Sequence, residues 1–408
     1  MTWRAALVAW ALATSLGCAS GERHAPTVLL IGIDGLDPGQ VSTRVAAGTL
    51  PNLKALIDRG TFAPLTTFSN HSEEIWTTIA TGVSPARHGV QVQYLKRTPY
   101  NSTMRKAPAL WNVLTRYGQR VAVLGWWVTF PAETVNGYVV SPYLTFQPRR
   151  APTPAWNGPG RTYPPELERR VAPLLLREED VPESEAARYA GPPGEMGVAR
   201  WAVANDTSYH RIAQYLLAHE PAVDLFAVYY RGIDIVSHDY TRWVYGVIFP
   251  KPVSPPPPRV PDAEREDALR RVDAIYERTD ALVGELTRGL PPETTVLVVS
   301  DHGWSYDGTE HWNQNPGVLI ASGGPVVRGA RVEGARVFDV MPTILALLRL
   351  PISSELEGVV LDDLFAPGAV PAPEHVARYD IAPSTPEVKT TPYDDDATKK
   401  LRALGYVE

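Results

Sequence analysis

Thr27-Val28-Leu29-Leu30-Ile31-Gly32-Ile33, closed by Asp34-Gly35, is the stretch on which the fold turns. It carries no charge before Asp34, is rich in β-branched side chains and shows no polar–apolar alternation, which predicts a strand buried on both faces. Such strands belong to parallel sheets covered by helices. The same pattern recurs at residues 121–125, 225–230, 295–300 and 317–322. Between these runs, residues 51–59, 109–117, 207–218 and 264–287 read as helices. Strands alternating with helices over the whole length predict an α/β, doubly wound, mostly parallel sheet with helices on both faces.

Residues 145–200 break the rhythm with proline, glycine and mixed charge, and read as an insertion capping the sheet's carboxyl edge, with weak internal structure. The proline-rich stretch 250–261 reads as an exposed polyproline-type loop. Residues 26–370 then read as one domain, and 371–408 as a tail ending in a short helix at 396–404. Of the 408 residues, 44% are hydrophobic and 21% charged, which predicts a sizeable core. A net charge of −6 with no Lys/Arg run gives no nucleic-acid-binding footprint. The oligomeric state has no signature in the sequence.

At the N-terminus, Arg4 precedes the apolar run 5–16 and then Leu16-Gly17-Cys18-Ala19-Ser20. Twelve apolar residues are too short for a bilayer span and suit a signal-peptide core. Cys18 is the only cysteine, so it has no internal disulfide partner. The segment resembles a bacterial lipoprotein signal over residues 1–18, although Ser15 stands where such signals usually carry Leu. That implies lipidation at Cys18 and an exported protein anchored to a membrane of the cell envelope, facing the periplasm or exterior. A plainly cleaved signal peptide is the alternative.

Acidic and histidine residues stand at the ends of three apolar runs: Asp34, then Asp234 and His238, then Asp301 and His302. In open α/β sheets, ligands bind beyond the carboxyl ends of strands, where residues distant in sequence converge. Taken singly, an Asp-Gly after a strand is a turn and an Asp-His-Gly a solvated loop. Gathered at one edge, they call for a positive charge, which a divalent metal supplies. Ser72 precedes a predicted helix over residues 73–81, with Glu73 and Glu74 in its first turn and Gly82 closing it. Backbone N–H groups at such a helix start suit a phosphoryl group. The plain alternative is a capping serine.

In this order, Asp34, Ser72 nine residues before Thr81-Gly82, His88-Gly89, Asp234-x-x-x-His238 and Ser300-Asp301-His302-Gly303 resemble the type I phosphodiesterase/nucleotide pyrophosphatase family of the alkaline phosphatase superfamily. Gly308-Thr309-Glu310-His311 looks like the segment that supplies that family's last metal-binding histidine, and Asp339-Val340-Met341-Pro342-Thr343 like a recurrent helix start. The resemblance covers about residues 26–367 and implies two divalent metal ions. Asp234, His238 and His311 would hold one, Asp34, Asp301 and His302 the other, with Ser72 between them as nucleophile. Mixed Asp/His ligation suits zinc best, with manganese or iron as alternatives. The family's phosphate-binding asparagine, about 21 residues past the nucleophile, falls on Gln93 here, which is the implied substrate-binding residue.

The implied reaction is hydrolysis of a small-molecule phosphate ester through a phosphoserine on Ser72. No arginine lies between Ser72 and Thr81 to match a monoester's second charge, so diesters are expected over monoesters; Arg105, Arg231 or Arg242 could reverse this. Four readings compete: a phosphomonoesterase of the same superfamily, a sulfatase, a phosphoglycerate mutase, against which the export signal argues, or an inactive envelope binding protein. A sulfatase needs a Cys/Ser-x-Pro-x-Arg frame, and Ser84-Pro85-Ala86-Arg87 has the wrong register.

Overall fold

A computed structural model describes residues 25–91, 101–145, 160–191, 196–248, 261–304 and 314–381. In chain order the elements begin β1 (Val28–Ile33), α1 (Pro38–Ala47), α2 (Pro51–Arg59), β2 (Thr61–Leu65), α3 (Ser72–Thr81), α4 (Pro85–His88) and α5 (Leu110–Arg116). Then come β3 (Val121–Leu124), β4 (Gly137–Val140), β5 (Thr162–Tyr163), α6 (Leu167–Val171), α7 (Glu183–Ala186) and α8 (Met196–His219). The chain continues with β6 (Leu225–Tyr230), α9 (Gly232–Ile248), α10 (Asp262–Thr287), β7 (Thr295–Val299) and β8 (Gly317–Ser322). It closes with α11 (Val340–Leu347), β9 (Ile352–Ser353) and β10 (His375–Val376).

One eight-stranded sheet runs in the order β2-β8-β7-β1-β6-β3-β4-β5. Its centre is parallel: β1 lies between β6 (Val28 opposite Leu225) and β7 (Val28 opposite Thr295), and β3 joins β6 to β4. The margins reverse, with β8 antiparallel to β7, β2 to β8 and β5 to β4. Along β1, Leu29, Ile31 and Ile33 face a core built with α2, α8, α9 and α10, while Val28 and Leu30 face a second one built with α3, α5 and α11. The expected doubly wound sheet with two covered faces is therefore present, and every residue of β1, β6, β7 and β8 is buried.

Several elements differ from expectation. The strand β2 carries Pro64, which an interior strand would not tolerate but an edge strand does. The predicted helix at 207–218 is twice as long, beginning at Met196 inside the expected insertion. The described part of that insertion is also better built than predicted: β5 extends the sheet edge, and Leu167, Val171, Val181, Ala186 and Tyr189 enter the core. In the tail, β10 pairs with β9, and the Tyr379 hydroxyl donates to Pro351 O at 2.9 Å. The expected helix at 396–404, the proline loop before residue 261 and the leader lie outside the described residues. Among the described residues, no helix is long and apolar enough to cross a membrane.

Candidate metal centre

The carboxyl ends of β1, β6 and β7 open onto one spot. Asp34 follows β1 directly, Asp301 and His302 follow β7 after Ser300, and Asp234 sits in the first turn of α9, just beyond β6. His238 lies one turn further along α9, on the same helix face as Asp234. From the other side of the sheet, α3 presents Ser72 as its first residue. Asp34, Asp234, Asp301, His302 and Ser72 are all fully buried.

Asp34, Asp234 and His302 each place one ligand atom within 4.8 Å of the others. His302 Nε2 lies 3.3 Å from Asp34 Oδ1, 3.5 Å from Asp301 Oδ2 and 3.8 Å from Asp234 Oδ1. His238 Nε2 is 3.4 Å from Asp234 Oδ1. Ser72 Oγ donates to Asp34 Oδ1 at 3.4 Å. The outer oxygen, Asp34 Oδ2, accepts a short hydrogen bond from the Tyr229 hydroxyl, itself the acceptor for Trp127 Nε1 at 2.7 Å.

The tautomer of His302 decides what this cluster can hold. Its Nδ1 lies 3.1 Å from Gly303 O, and a carbonyl only accepts, so Nδ1 carries the proton. In a neutral ring, the Nε2 lone pair then points into three carboxylates. That arrangement is repulsive unless a positive charge stands between them, and a metal-binding histidine is oriented in this way, by a backbone carbonyl on its other nitrogen. Without a metal, the proton takes that place: burial opposes the charged imidazole, but Asp301 and Asp34 outweigh it and push His302 up to about 10. Asp301 is driven well above the usual carboxylate range by burial and by the Asp34 charge, and its Oδ2 is buried with no hydrogen-bond partner. For Asp34, burial acts upward, yet its bonds to His302 and Tyr229 hold it below the usual value. An Asp/His donor set with an orphaned carboxylate oxygen fits a divalent ion.

Five of the residues implied as ligands therefore converge, together with Ser72. The tightest group, Asp34, Asp234 and His302, draws on both of the ligand sets that the resemblance implied. His311, Gln93 and Cys18 lie outside the described residues. Ser72 is not the helix cap: that position belongs to His71, whose side chain makes no capping bond. The first in-helix donors, Glu74 and Ile75, both bond His71 O, so the Ser72 and Glu73 N–H groups precede the helical ladder. Burial, with Asp34 and Glu74 nearby, pushes the Glu73 carboxyl up to about 8. His88 is tied into its turn, with Nε2 3.1 Å from Thr78 Oγ1 and Nδ1 accepting from Val90 N at 3.1 Å.

Sequence reasoning missed the layer behind these residues. Asp37 caps α1 by accepting from Gln40 N at 2.9 Å and also takes Trp304 N at 3.1 Å, tying β1's exit to the turn after His302. Asp37-Pro38 is a helix-start signal that could have revealed the cap. Ser300 Oγ accepts from Leu36 N and donates to His302 O, both at 2.9 Å. Tyr229 had only its hydroxyl in an apolar strand to mark it.

The family model described as type I phosphodiesterase / nucleotide pyrophosphatase matches residues 28–315. Among solved structures, a putative sulfatase from Bacteroides thetaiotaomicron VPI-5482 is similar at TM-score 0.53 and 12% identity, covering 83% of this chain and 74% of its own. A 2-O GAG sulfatase is similar at TM-score 0.51 and 14% identity, with the same coverage. A phosphonate monoester hydrolase from Silicibacter pomeroyi gives TM-score 0.48 at 18% identity, over 84% of this chain and 78% of its own. At such identities the likeness is one of fold. No curated protein matches the chain in sequence.

Proposed function

The chain belongs to the type I phosphodiesterase/nucleotide pyrophosphatase family, a branch of phosphoester hydrolases in the alkaline phosphatase superfamily, and on that premise we propose that it hydrolyses phosphodiesters with Ser72 as nucleophile. The observation that carries this reading is the Ser72 hydroxyl, buried and 3.4 Å from Asp34 Oδ1, within the Asp34–Asp234–His302 cluster. Asp34, Asp301 and His302, and Asp234 and His238 with His311, would hold two divalent ions, zinc first among the candidates. Ions so bound supply the Lewis-acid charge that makes a serine oxygen nucleophilic and stabilises a leaving oxygen.

The chain's own groups do the rest. Asp34 Oδ1 accepts the Ser72 Oγ–H and orients it, while Tyr229 restrains the second oxygen of that carboxylate. Attack by Ser72 Oγ forms one P–O bond and breaks the bond to one ester oxygen, which takes up the proton that Ser72 gives up and leaves as an alcohol, giving a phosphoserine that keeps the second ester group. Water then attacks phosphorus and restores the Ser72 hydroxyl. The Ser72 and Glu73 N–H groups at the start of α3 face the charge of the phosphoryl oxygens, as helix N-termini do.

The preference for diesters rests on charge. Arg105, a rival for a monoester's second charge, is bound to Glu133 Oε1 at 2.6 Å in a buried pair. Arg231 lies 5.3 Å from the Tyr229 ring centroid and 5.7 Å from those of Trp127 and Trp201. A sulfatase reading has less support: Ser84 heads α4 and donates to Glu357 Oε1 at 3.0 Å. The test compares kcat/KM for bis(p-nitrophenyl) phosphate, p-nitrophenyl phosphate and p-nitrophenyl sulfate. The diester should lead; a monoester or sulfate lead would overturn the preference and leave the nucleophile untouched.

A further inference from the structure

We propose that Asp206, a buried carboxylate on α8 outside the ligand set, is a positioning residue that fixes the metal-binding turn of α9; this rests on the metal-site reading above. Its Oδ1 accepts from Arg231 N at 3.0 Å and its Oδ2 from Gly232 N at 2.9 Å. These donors stand at the very start of α9, where helix N–H groups have no partner of their own. Asp234 lies two residues after Gly232, so whatever holds that first turn also sets where the Asp234 carboxylate points.

The fit at this joint is close. A Cβ on residue 232 would sit 2.5 Å from Asp206 Oδ2, so glycine is required for the carboxylate to approach the backbone. Asp206 is 1% exposed. Burying a full carboxylate for capping alone is costly, since a serine or asparagine caps nearly as well without the charge. A carboxylate alone offers two equivalent acceptors on a rigid plane, one for each of two successive N–H groups. It also adds negative charge behind Asp234, which favours a bound dication. Partners one layer behind the ligands commonly govern metal affinity in this way.

The molecule contains its own control. Asp280 on α10 makes the same clamp on the start of α2, accepting from Asn52 N at 3.1 Å and Leu53 N at 2.7 Å, and it is 2% exposed. Helix α2 carries no site residue. The experiment titrates Co2+ alone into the full-length metal-free protein and follows its visible absorption, with thermal unfolding measured in parallel. Wild type should bind Co2+, Asp206→Asn and Asp206→Ala should bind it roughly 10–100-fold more weakly with an altered spectrum, and Asp280→Asn should melt lower yet bind as wild type does. The isosteric Asn variant keeps the test usable if Asp206→Ala does not fold. Unchanged Co2+ affinity and spectrum in Asp206→Asn would overturn the positioning role. Equal weakening in Asp280→Asn would overturn it too, by making the effect one of general stability. Failure of wild type to bind Co2+ would instead remove the metal-site reading, and this inference with it.

Discussion

Adding one methyl group to β1 should disable the nucleophile from behind. At Gly32→Ala the new Cβ would stand 2.8 and 2.9 Å from Trp76 Cζ3 and Cη2 and 3.1 Å from Trp126 Cζ3. Carbon pairs settle near 3.5–4.0 Å, so the Trp76 ring must retreat by roughly 0.7 Å. It has nowhere easy to go. Trp76 is fully buried, with edge-on contacts at 5.0 Å to both Trp126 and Tyr229. The strain therefore passes into α3, where Ser72 stands four residues before Trp76 on the same helix face. Overpacking of this kind costs about 1–3 kcal/mol, and a displacement near 1 Å at a reacting atom can cost about 10²-fold in rate. Gly32→Ala should thus melt about 2–5 °C lower and lose roughly 10-fold or more in kcat/KM. The assay is thermal unfolding beside diester turnover, repeated with Trp76→Phe, which removes the clashing ring atoms. The double variant should recover activity relative to Gly32→Ala. A Gly32→Ala protein with wild-type melting and turnover would refute the reasoning.

Two further outcomes follow. Burial, aided by Arg105, lowers His88 to about 3 in the folded chain, below the ordinary histidine value of 6.5. The unfolded chain therefore binds the extra proton between these values, so His88's contribution to stability is complete above pH 6.5 and is lost on acidification at up to about 1.4 kcal/mol per pH unit. The stability difference between wild type and His88→Gln should shrink from pH 7 to pH 4; a constant difference counts against a buried neutral ring. For the leader, expression in a bacterial host should give a lipid-labelled, membrane-bound protein that Cys18→Ser abolishes, and soluble unlabelled wild type would contradict lipidation.

Much of the sheet was legible because its central strands are apolar throughout. β1, β6, β7 and β8 announce themselves by composition, and the residues that follow the first three point to the candidate site. What escaped is instructive. β2 and β4 are short and carry Pro64 and Gly137, so their pairing depends on neighbours distant in the chain. α9 opens on Gly232, a poor helix former, directly after β6, so its start carries no helix signal. Asp34, Ser72, Asp234 and His302 could be found because each borders an element with its own pattern. Tyr229, Asp37 and Asp206 act through contacts spanning from 3 to 267 residues, and for Asp206 and Tyr229 no local spacing encodes the partner. That Asp34, Asp234 and His302 form the tightest group was likewise invisible, because it depends on distances across three strand ends.

The central claim is tested most directly by Ser72→Ala, purified in parallel with wild type, loaded with the same divalent metal and assayed on bis(p-nitrophenyl) phosphate with its metal content measured. Metal content and melting should stay close to wild type, because the Asp and His donors are intact, with turnover reduced by about 10³-fold or more, as expected on removal of a nucleophile. Near wild-type turnover by the metal-loaded Ser72→Ala protein would contradict the claim.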